Sequence, residues 1–432
     1  MRREDTKFSD LTGFRKSSEL LTHEGDSKLC AVAPSMLLNR ERAYSIMDNY
    51  GLEALVATTP ANVTYLSGFR AMSHELLGSF IFVVFPHDPR QQSTVILPLG
   101  EAADLVALKM SWVKDVRPYG TFPVTVPEGK MAAWESDVAK LFTGKSESDP
   151  FVLLGQVLDE KGLSRRKVGL DEHYFTSQTY SRLVKTLDRF ELVPAYDIFR
   201  EIRSVKNSEQ VEVLKEAIKI TEEGIRTVIE STRIGMTGND LVKIFVKTVT
   251  ERGAVPIVPT IALAKDSYLQ YIYIPSNRKL RTGDLLRFDV CCMYKYHYTD
   301  IGRNAVLGKA TATQERLYKV VYSGEEEALN LLRPGVKASD VFQGGVKGAR
   351  NAGMPNFKRN HCGHGIGLEL YEPPLIMPSN ESLIEQGNVI NIETPYYEIG
   401  TGGFMVEDTV LVTRTGIQFL TKFDRALYEI PT

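Results

Sequence analysis

The spacing of apolar residues divides the chain into two halves of different character. Leu37, Leu38, Ala43, Ile46 and Met47 recur at helical spacing and predict a helix over residues 36–50. GLEALVATTP, from residue 51, reads as a short buried strand ending in a turn, with IFVVF and STVILPL as further strands. This alternation continues to LVPAYDI near residue 198 and predicts an α/β domain over residues 35–200. A long amphipathic helix is then predicted from Ser208 as N-cap, with Glu209 behind it and Val211, Val213, Leu214, Ala217 and Ile218 on its apolar face. Met236-Thr237-Gly238 closes a second helical stretch, and residues 239–252 form a third. From Pro256 the pattern turns to strands, interrupted by helices over 312–332, ended by Arg333-Pro334-Gly335, and over 338–351, ended by Gly353. Helices and strands are segregated here, so residues 201–432 are expected to form an α+β domain. Residues 1–34 are polar and aperiodic, and are expected to be an N-terminal extension.

Composition narrows this picture mainly by exclusion. At 432 residues the chain exceeds one typical core and fits two domains. With 43% hydrophobic and 25% charged residues it has the balance of a globular protein. The formal net charge of −2 supplies no basic patch for nucleic acid. The most apolar run, LLGSFIFVVF at 76–85, is too short to span a bilayer, and MRREDTKFSD lacks the apolar segment of a leader. Cys30, Cys291, Cys292 and Cys362 form no CxxC pair and no disulfide ladder, so a cytoplasmic setting is expected.

The candidate chemistry lies in the C-terminal third. RFDV, YTDIGR, HCGHGIGLELYEPP, NIETPYY and GGFMVEDTV present Asp289, Asp300, His364, Glu393 and Glu407. Oxygen donors with a single nitrogen suit hard or borderline divalent ions such as manganese, cobalt or zinc. Four carboxylates carry too much charge for one buried cation and point to two ions activating water for hydrolysis. A hairpin turning at residues 294–295 would set Asp289 and Asp300 opposite each other. One centred on Gly400 would do the same for Glu393 and Glu407. Both acidic pairs end apolar strand-like runs, where an unpartnered charge is expensive. Cys291 shares parity with Asp289, though a small buried hydrophobe is its ordinary role; His297 falls on the opposite hairpin face.

At these residues the chain resembles the pita-bread metallohydrolases, the family of methionine aminopeptidase, aminopeptidase P, prolidase and creatinase. The ordered Asp, Asp, His, Glu, Glu set carries the resemblance, which runs from about Ile202 to the C-terminus. ERAYSIMDNYGLEALVATTPANVTYLSGF resembles the opening of the creatinase/prolidase N-terminal domain. The resemblance implies a pita-bread catalytic domain with two divalent ions, Mn2+ first, with Co2+, Zn2+ or Fe2+ as alternatives, held by the five residues. It implies hydrolysis of a C–N bond of a small peptide or small amide, as an Xaa-Pro dipeptidase or aminopeptidase does, and a homodimer. Creatinase shows that the scaffold also accepts non-peptide amides, amidines or cyclic metabolites; some relatives are binding modules only.

Departures from the family pattern are local. Ile272 and Tyr371 stand where proline-specific members usually carry histidines, and Met405 stands where an Arg usually precedes the last Glu. His361 matches. Glu393 is therefore expected to double as ligand and base, and His361 to donate a hydrogen bond to substrate. Tyr371 is either a donor to the developing oxyanion or a packing residue beside Pro373 and Pro374. Ile272 and Met405 are expected to line the substrate subsite. His74 is a residue that a loop of the N-terminal domain would bring to a site in this chain or in a dimer mate.

Overall fold

The computed structural model describes residues 36–144, 146–270 and 275–432; the polar segment 1–34 and Ile272 lie outside the described residues. The first half forms a six-stranded sheet from β1 (Ala54–Ala57), β2 (Phe82–Pro86), β3 (Thr94–Pro98), β4 (Asp115–Tyr119), β5 (Lys167–Leu170) and β6 (Glu191–Pro194) in the order β4-β3-β2-β1-β5-β6. Both faces are covered. Leu55 and Ala57 of β1 enter one apolar layer, while Ala54 and Val56 enter the other.

The second half contains β7 (Val255–Leu263), β8 (Leu285–Tyr294), β9 (His297–Tyr298), β10 (Ile301–Leu307), β11 (Gly363–Gly365), β12 (Glu372–Leu375), β13 (Val389–Glu393), β14 (Tyr396–Glu398), β15 (Gly402–Phe404), β16 (Glu407–Val412), β17 (Ile417–Phe419) and β18 (Tyr428–Ile430). The main sheet runs β12-β11-β13-β16-β10-β8-β7, and β14 pairs with β15 beside it. Helices Ser208–Ser231 and Gly238–Glu251 pack on one end through Leu214, Ile218 and Phe245 against Leu286, Phe288 and Val290. Helices Ala312–Leu331 and Ala338–Asn351 pack on the other through Val320, Ala328 and Val346 against Ile390, Ile392 and Val410. Strand alternation then leaves Asp289 of β8 and Glu393 of β13 on the opposite face. Each half has its own sheet, as expected: an α/β domain followed by a pita-bread α+β domain.

Two expectations about the helices are corrected. Asn207, not Ser208, caps the first: its side chain accepts from the Gln210 amide at 2.9 Å, and Gln210 returns a bond to Asn207 N at 3.3 Å. No second helix precedes Met236. Ser208–Ser231 is one 24-residue helix, and Thr237 begins the next by accepting from Asp240 N. Gly235 turns the chain between them with φ of 86°, so Met236-Thr237-Gly238 opens a helix instead of closing one.

The halves are tied by buried ion pairs. Arg203 contacts Glu369 and lies 3.3 Å from Glu372, while Lys206 Nζ lies 2.8 Å from Glu372. At the rim Arg42 binds Glu385 at 2.8 Å.

Candidate metal centre

The first acidic pair depends on a hairpin whose register differs from the sequence expectation. Lys295 and Tyr296 carry φ of 46° and 68°, the two positive values that a primed two-residue turn requires, so the turn falls one residue later. Asp289 is paired with Gly302, and Asp300 sits two residues away instead of directly opposite. A shift of two preserves parity, so both carboxylates stay on one face. Gly302 permits this crowding: a Cβ there would lie 2.5 Å from Met405 Cγ and 2.9 Å from Glu407 Cβ. The second pair follows its expectation, with Glu393 opposite Glu407 and Tyr396 opposite Phe404 about Gly400.

His364 reaches the same face from β11, between β12 and β13. Gly363 has φ of 140°, and a Cβ on it would lie 2.1 Å from Asn391 O. Only glycine lets β11 lie this close to β13.

Three residues converge at ligand distance. Asp300, His364 and Glu407 are buried, and each offers one donor atom within 4.8 Å of the others. His364 Nδ1 lies 3.0 Å from Gly365 O, which assigns the proton to Nδ1 and leaves Nε2 as an acceptor. That Nε2 and Glu407 Oε2 are buried without a hydrogen-bond partner among the described residues. Orphaned buried acceptors are costly, and a divalent cation satisfies both at once, so the donor set fits a metal. Asn391 orients the site from below: Nδ2 donates to Glu407 Oε1 at 3.1 Å and to Asp300 O at 2.9 Å.

Asp289 and Glu393 line the same cavity, of about 250 Å³, but are held by arginines. Asp289 Oδ2 accepts from Arg287 Nη1 at 2.6 Å. Arg287 is fully buried and also donates to Ser267 O and Leu269 O. Glu393 Oε2 lies 3.4 Å from Arg359 Nη2, and Glu393 Oε1 lies 3.4 Å from His361 Nδ1. His361, Tyr371 and Met405 line the cavity. Tyr371 stacks on His364, with centroids 3.7 Å apart and planes 16° apart, so it belongs to the cavity wall. Cys291 lines the cavity too, with Sγ 3.1 Å from Asp300 Oδ1. His297 is buried on the other face, 2.9 Å from Lys295 O. His74 is buried in this chain, edge-on to Tyr174.

Crowding shows in the proton affinities. Burial and then repulsion from Asp289 hold the Asp300 carboxyl well above its usual range. Burial, then Asp300 and Glu393, do the same to Glu407. Burial pushes Glu393 up to about 7, with Arg359 opposing and Asp289 reinforcing. Burial lowers His364 and His361 to about 4, so both imidazoles are neutral at pH 7.

Three contributors escaped the sequence reading. Arg287 and Asn391 each stand two residues before an acidic residue on an alternating strand, so parity alone places them on the site face. Arg359 lies on the loop before β11, where no periodicity speaks for it.

Comparisons with known proteins agree with this architecture. Residues 212–414 match the model of Metallopeptidase family M24, and residues 39–205 match the Creatinase/Prolidase N-terminal domain. The chain thus combines a creatinase/prolidase N-terminal domain with an M24 metallopeptidase domain of the pita-bread fold, which makes it a metal-dependent peptidase by kind. It is 28% identical over 232 residues to an Xaa-Pro dipeptidase of Pyrococcus furiosus, covering 54% of this chain and 67% of that one. It is 25% identical over 374 residues to an uncharacterized peptidase of Staphylococcus haemolyticus, covering 86% of this chain and 95% of that one. The solved structure of an X-Pro aminopeptidase from Thermotoga maritima superposes with a TM-score of 0.72 at 20% identity, over 89% of this chain and all of that one (100%). Among the described residues no helix is long and apolar enough to cross a membrane.

Proposed function

We propose that the chain is a dipeptidase of the Xaa-Pro type working with two divalent ions, manganese foremost and cobalt, zinc or iron as alternatives. The observation that carries this is the convergence of Asp300, His364 and Glu407, with two orphaned acceptors, at a cavity lined by Asp300 and Glu407 together with Asp289 and Glu393. These five residues would hold the ions. Bound there, divalent ions supply a water acidified toward neutral pH and a Lewis acid for the scissile carbonyl. Glu393 accepts the proton of the attacking water, from a position between Arg359 and His361. His361 orients the substrate by a hydrogen bond, and the Tyr371 phenol donates to the developing oxyanion. Met405, on the cavity wall, packs against the substrate, and Ile272 stays a subsite candidate on the residue pattern alone. The name of the Pyrococcus relative supports the Xaa-Pro preference. A volume of about 250 Å³ supports a substrate no larger than a small peptide.

A second reading, hydrolysis of a non-peptide amide, amidine or cyclic metabolite, is favoured by Tyr371 and Met405 on the cavity wall in place of the His and Arg that the family resemblance implies. A division into domains over 35–200 and 201–432 is supported by the two separate sheets. A homodimer rests on the resemblance. A cytoplasmic setting rests on Cys291, Cys292 and Cys362, which are free and buried. The test assays Mn2+-loaded protein on Xaa-Pro dipeptides, on Xaa-Ala dipeptides, and on N-acylated and cyclic amino-acid derivatives. Fastest release of proline supports the first reading. Turnover confined to acylated or cyclic compounds replaces it with the second.

A further inference from the structure

We infer that Arg359 reads the anionic end of the substrate, so that the site selects peptides with a free carboxylate one residue beyond the scissile bond. The inference rests on the peptidase reading above. Four carboxylates line the cavity. Two arginines approach it, but their situations differ. Arg287 is fully buried, and its guanidinium is committed to Asp289, Ser267 O and Leu269 O. Arg359 lines the cavity with its side chain 14% exposed, near enough to the opening to meet a ligand and shielded enough to bind one well.

Its hydrogen-bonding capacity is largely unspent. Nε donates to His361 O at 3.3 Å and Nη2 to Glu393 Oε2 at 3.4 Å, both long for charged donors. Nη1 makes no hydrogen bond among the described residues. A guanidinium carries five N–H groups, so the outer edge remains open for a planar, bidentate acceptor. A carboxylate is that acceptor.

Reach then sets the class of substrate. Arg359 touches Glu393, the residue assigned to the attacking water, so an anion on its outer edge lies close to the reacting carbonyl. One residue spans roughly 3.5 Å. In a dipeptide the C-terminal carboxylate follows the scissile nitrogen by a single residue and falls within this reach. In a longer peptide a neutral amide stands there and cannot form the ion pair. Leu370, Tyr397 and Met405 supply an apolar wall for the side chain between the two ends.

The competing explanation is that Arg359 only offsets the charge of Glu393. A matched pair of substrates separates the two: an Xaa-Pro dipeptide as the free acid and as the C-terminal amide, with wild type, Arg359→Gln and Arg359→Lys. Arg359→Gln is expected to lower kcat/KM on the acid on the order of 30-fold, the size of one lost charge-assisted hydrogen bond, mainly through KM. Arg359 also pairs with Glu393, so the amide is expected to lose some turnover too, at least about fivefold less than the acid loses. Arg359→Lys, which keeps the charge without the fork, is expected to fall between. Equal losses on acid and amide, with or without loss of metal, overturn the inference. If wild type cleaves neither peptide, the peptidase reading fails by itself. Calorimetry of L-proline and L-prolinamide on Mn2+-loaded protein still reads the discrimination. Loss of the preference for proline in Arg359→Gln sustains the assignment, and an unchanged preference, or none in wild type, removes it.

Discussion

Tyr371 and Glu372 are neighbours in sequence, yet they face two buried charge clusters of opposite kinds. Glu372 faces the junction between the two halves, where Arg203 and Lys206, with Arg200 at the edge, meet Glu369 and Glu372, so each anion has a cation beside it. Burial raises the Glu372 carboxyl, but Lys206 and Arg203 outweigh it and hold the group below its usual range. Tyr371 faces four carboxylates and two arginines. There the balance fails, and Asp300 and Glu407 are pushed well above their usual range. Burial alone therefore does not mark a functional site, because both clusters are buried. The mark is excess negative charge together with acceptors that no group among the described residues satisfies, which cations from outside must balance.

The comparison breaks most visibly by removing one acid from each cluster. Asp300→Ala deletes one of the three convergent ligands, so bound metal and turnover are both expected to fall to background by elemental analysis and peptide hydrolysis. Full activity in that variant would sink the dimetal reading. Glu372→Gln should do the reverse. It leaves the buried Lys206 without its counter-charge, at a cost of about 3 kcal/mol in unfolding free energy, while the folded protein still binds metal. A Glu372→Gln variant of unchanged stability but lost metal would show that the two clusters are one.

pH sharpens the same contrast, because the signs are opposite. In metal-free protein Asp300, Glu393 and Glu407 bind protons more tightly folded than unfolded. Their stabilising contribution is full below the ordinary values, 3.8 for Asp300 and 4.5 for the two glutamates, and is lost as pH rises, through about 7 for Glu393. Glu372 contributes above its ordinary value, and that contribution is lost as pH falls through its lowered folded value. The melting temperature of chelator-treated protein is therefore expected to drop between pH 5 and pH 8, and that of metal-loaded protein to hold. Parallel curves for the two forms would mean that the carboxylates do not carry the excess charge assigned to them.

The two clusters were also unequally legible in sequence. The metal centre announces itself because its residues end apolar strands, where a period of two fixes the face: Glu393 and Glu407 pair as their spacing requires. Asp289 and Asp300 were placed on the right face with the wrong partner. Lys295 and Tyr296 give no Asn-Gly signal for the turn, and a slip of two residues is invisible to parity. The junction cluster stayed hidden because Arg203 and Glu372 are 169 positions apart, and no local pattern registers a contact between chain segments so distant. Arg359 was hidden for a related reason: a loop residue gains its meaning from Glu393, 34 positions downstream. The N-cap was missed by one position because Asn207 and Ser208 are both good caps, and only the reciprocal bond with Gln210 decides between them.

The smallest expected effect tests the border between the clusters. Tyr371 stacks on the His364 ring at 3.7 Å, and its hydroxyl is the only atom that Phe lacks, so Tyr371→Phe should keep the stack and the bound metal. If the phenol donates to the developing oxyanion, kcat falls with KM little changed. Loss of a well-buried oxyanion donor costs 100-fold or more, but Tyr371 is 44% exposed, so water can partly replace the hydroxyl and about tenfold is expected. Unaltered kcat would assign Tyr371 to the structural side with Glu372, as a ring that holds His364 in place and takes no part in the chemistry. A rise in KM with kcat constant would instead put the phenol on the substrate's ground state. Arg359→Gln is predicted to raise KM on the free acid several-fold more than on the amide, whereas a Tyr371 effect through the oxyanion must appear equally on both.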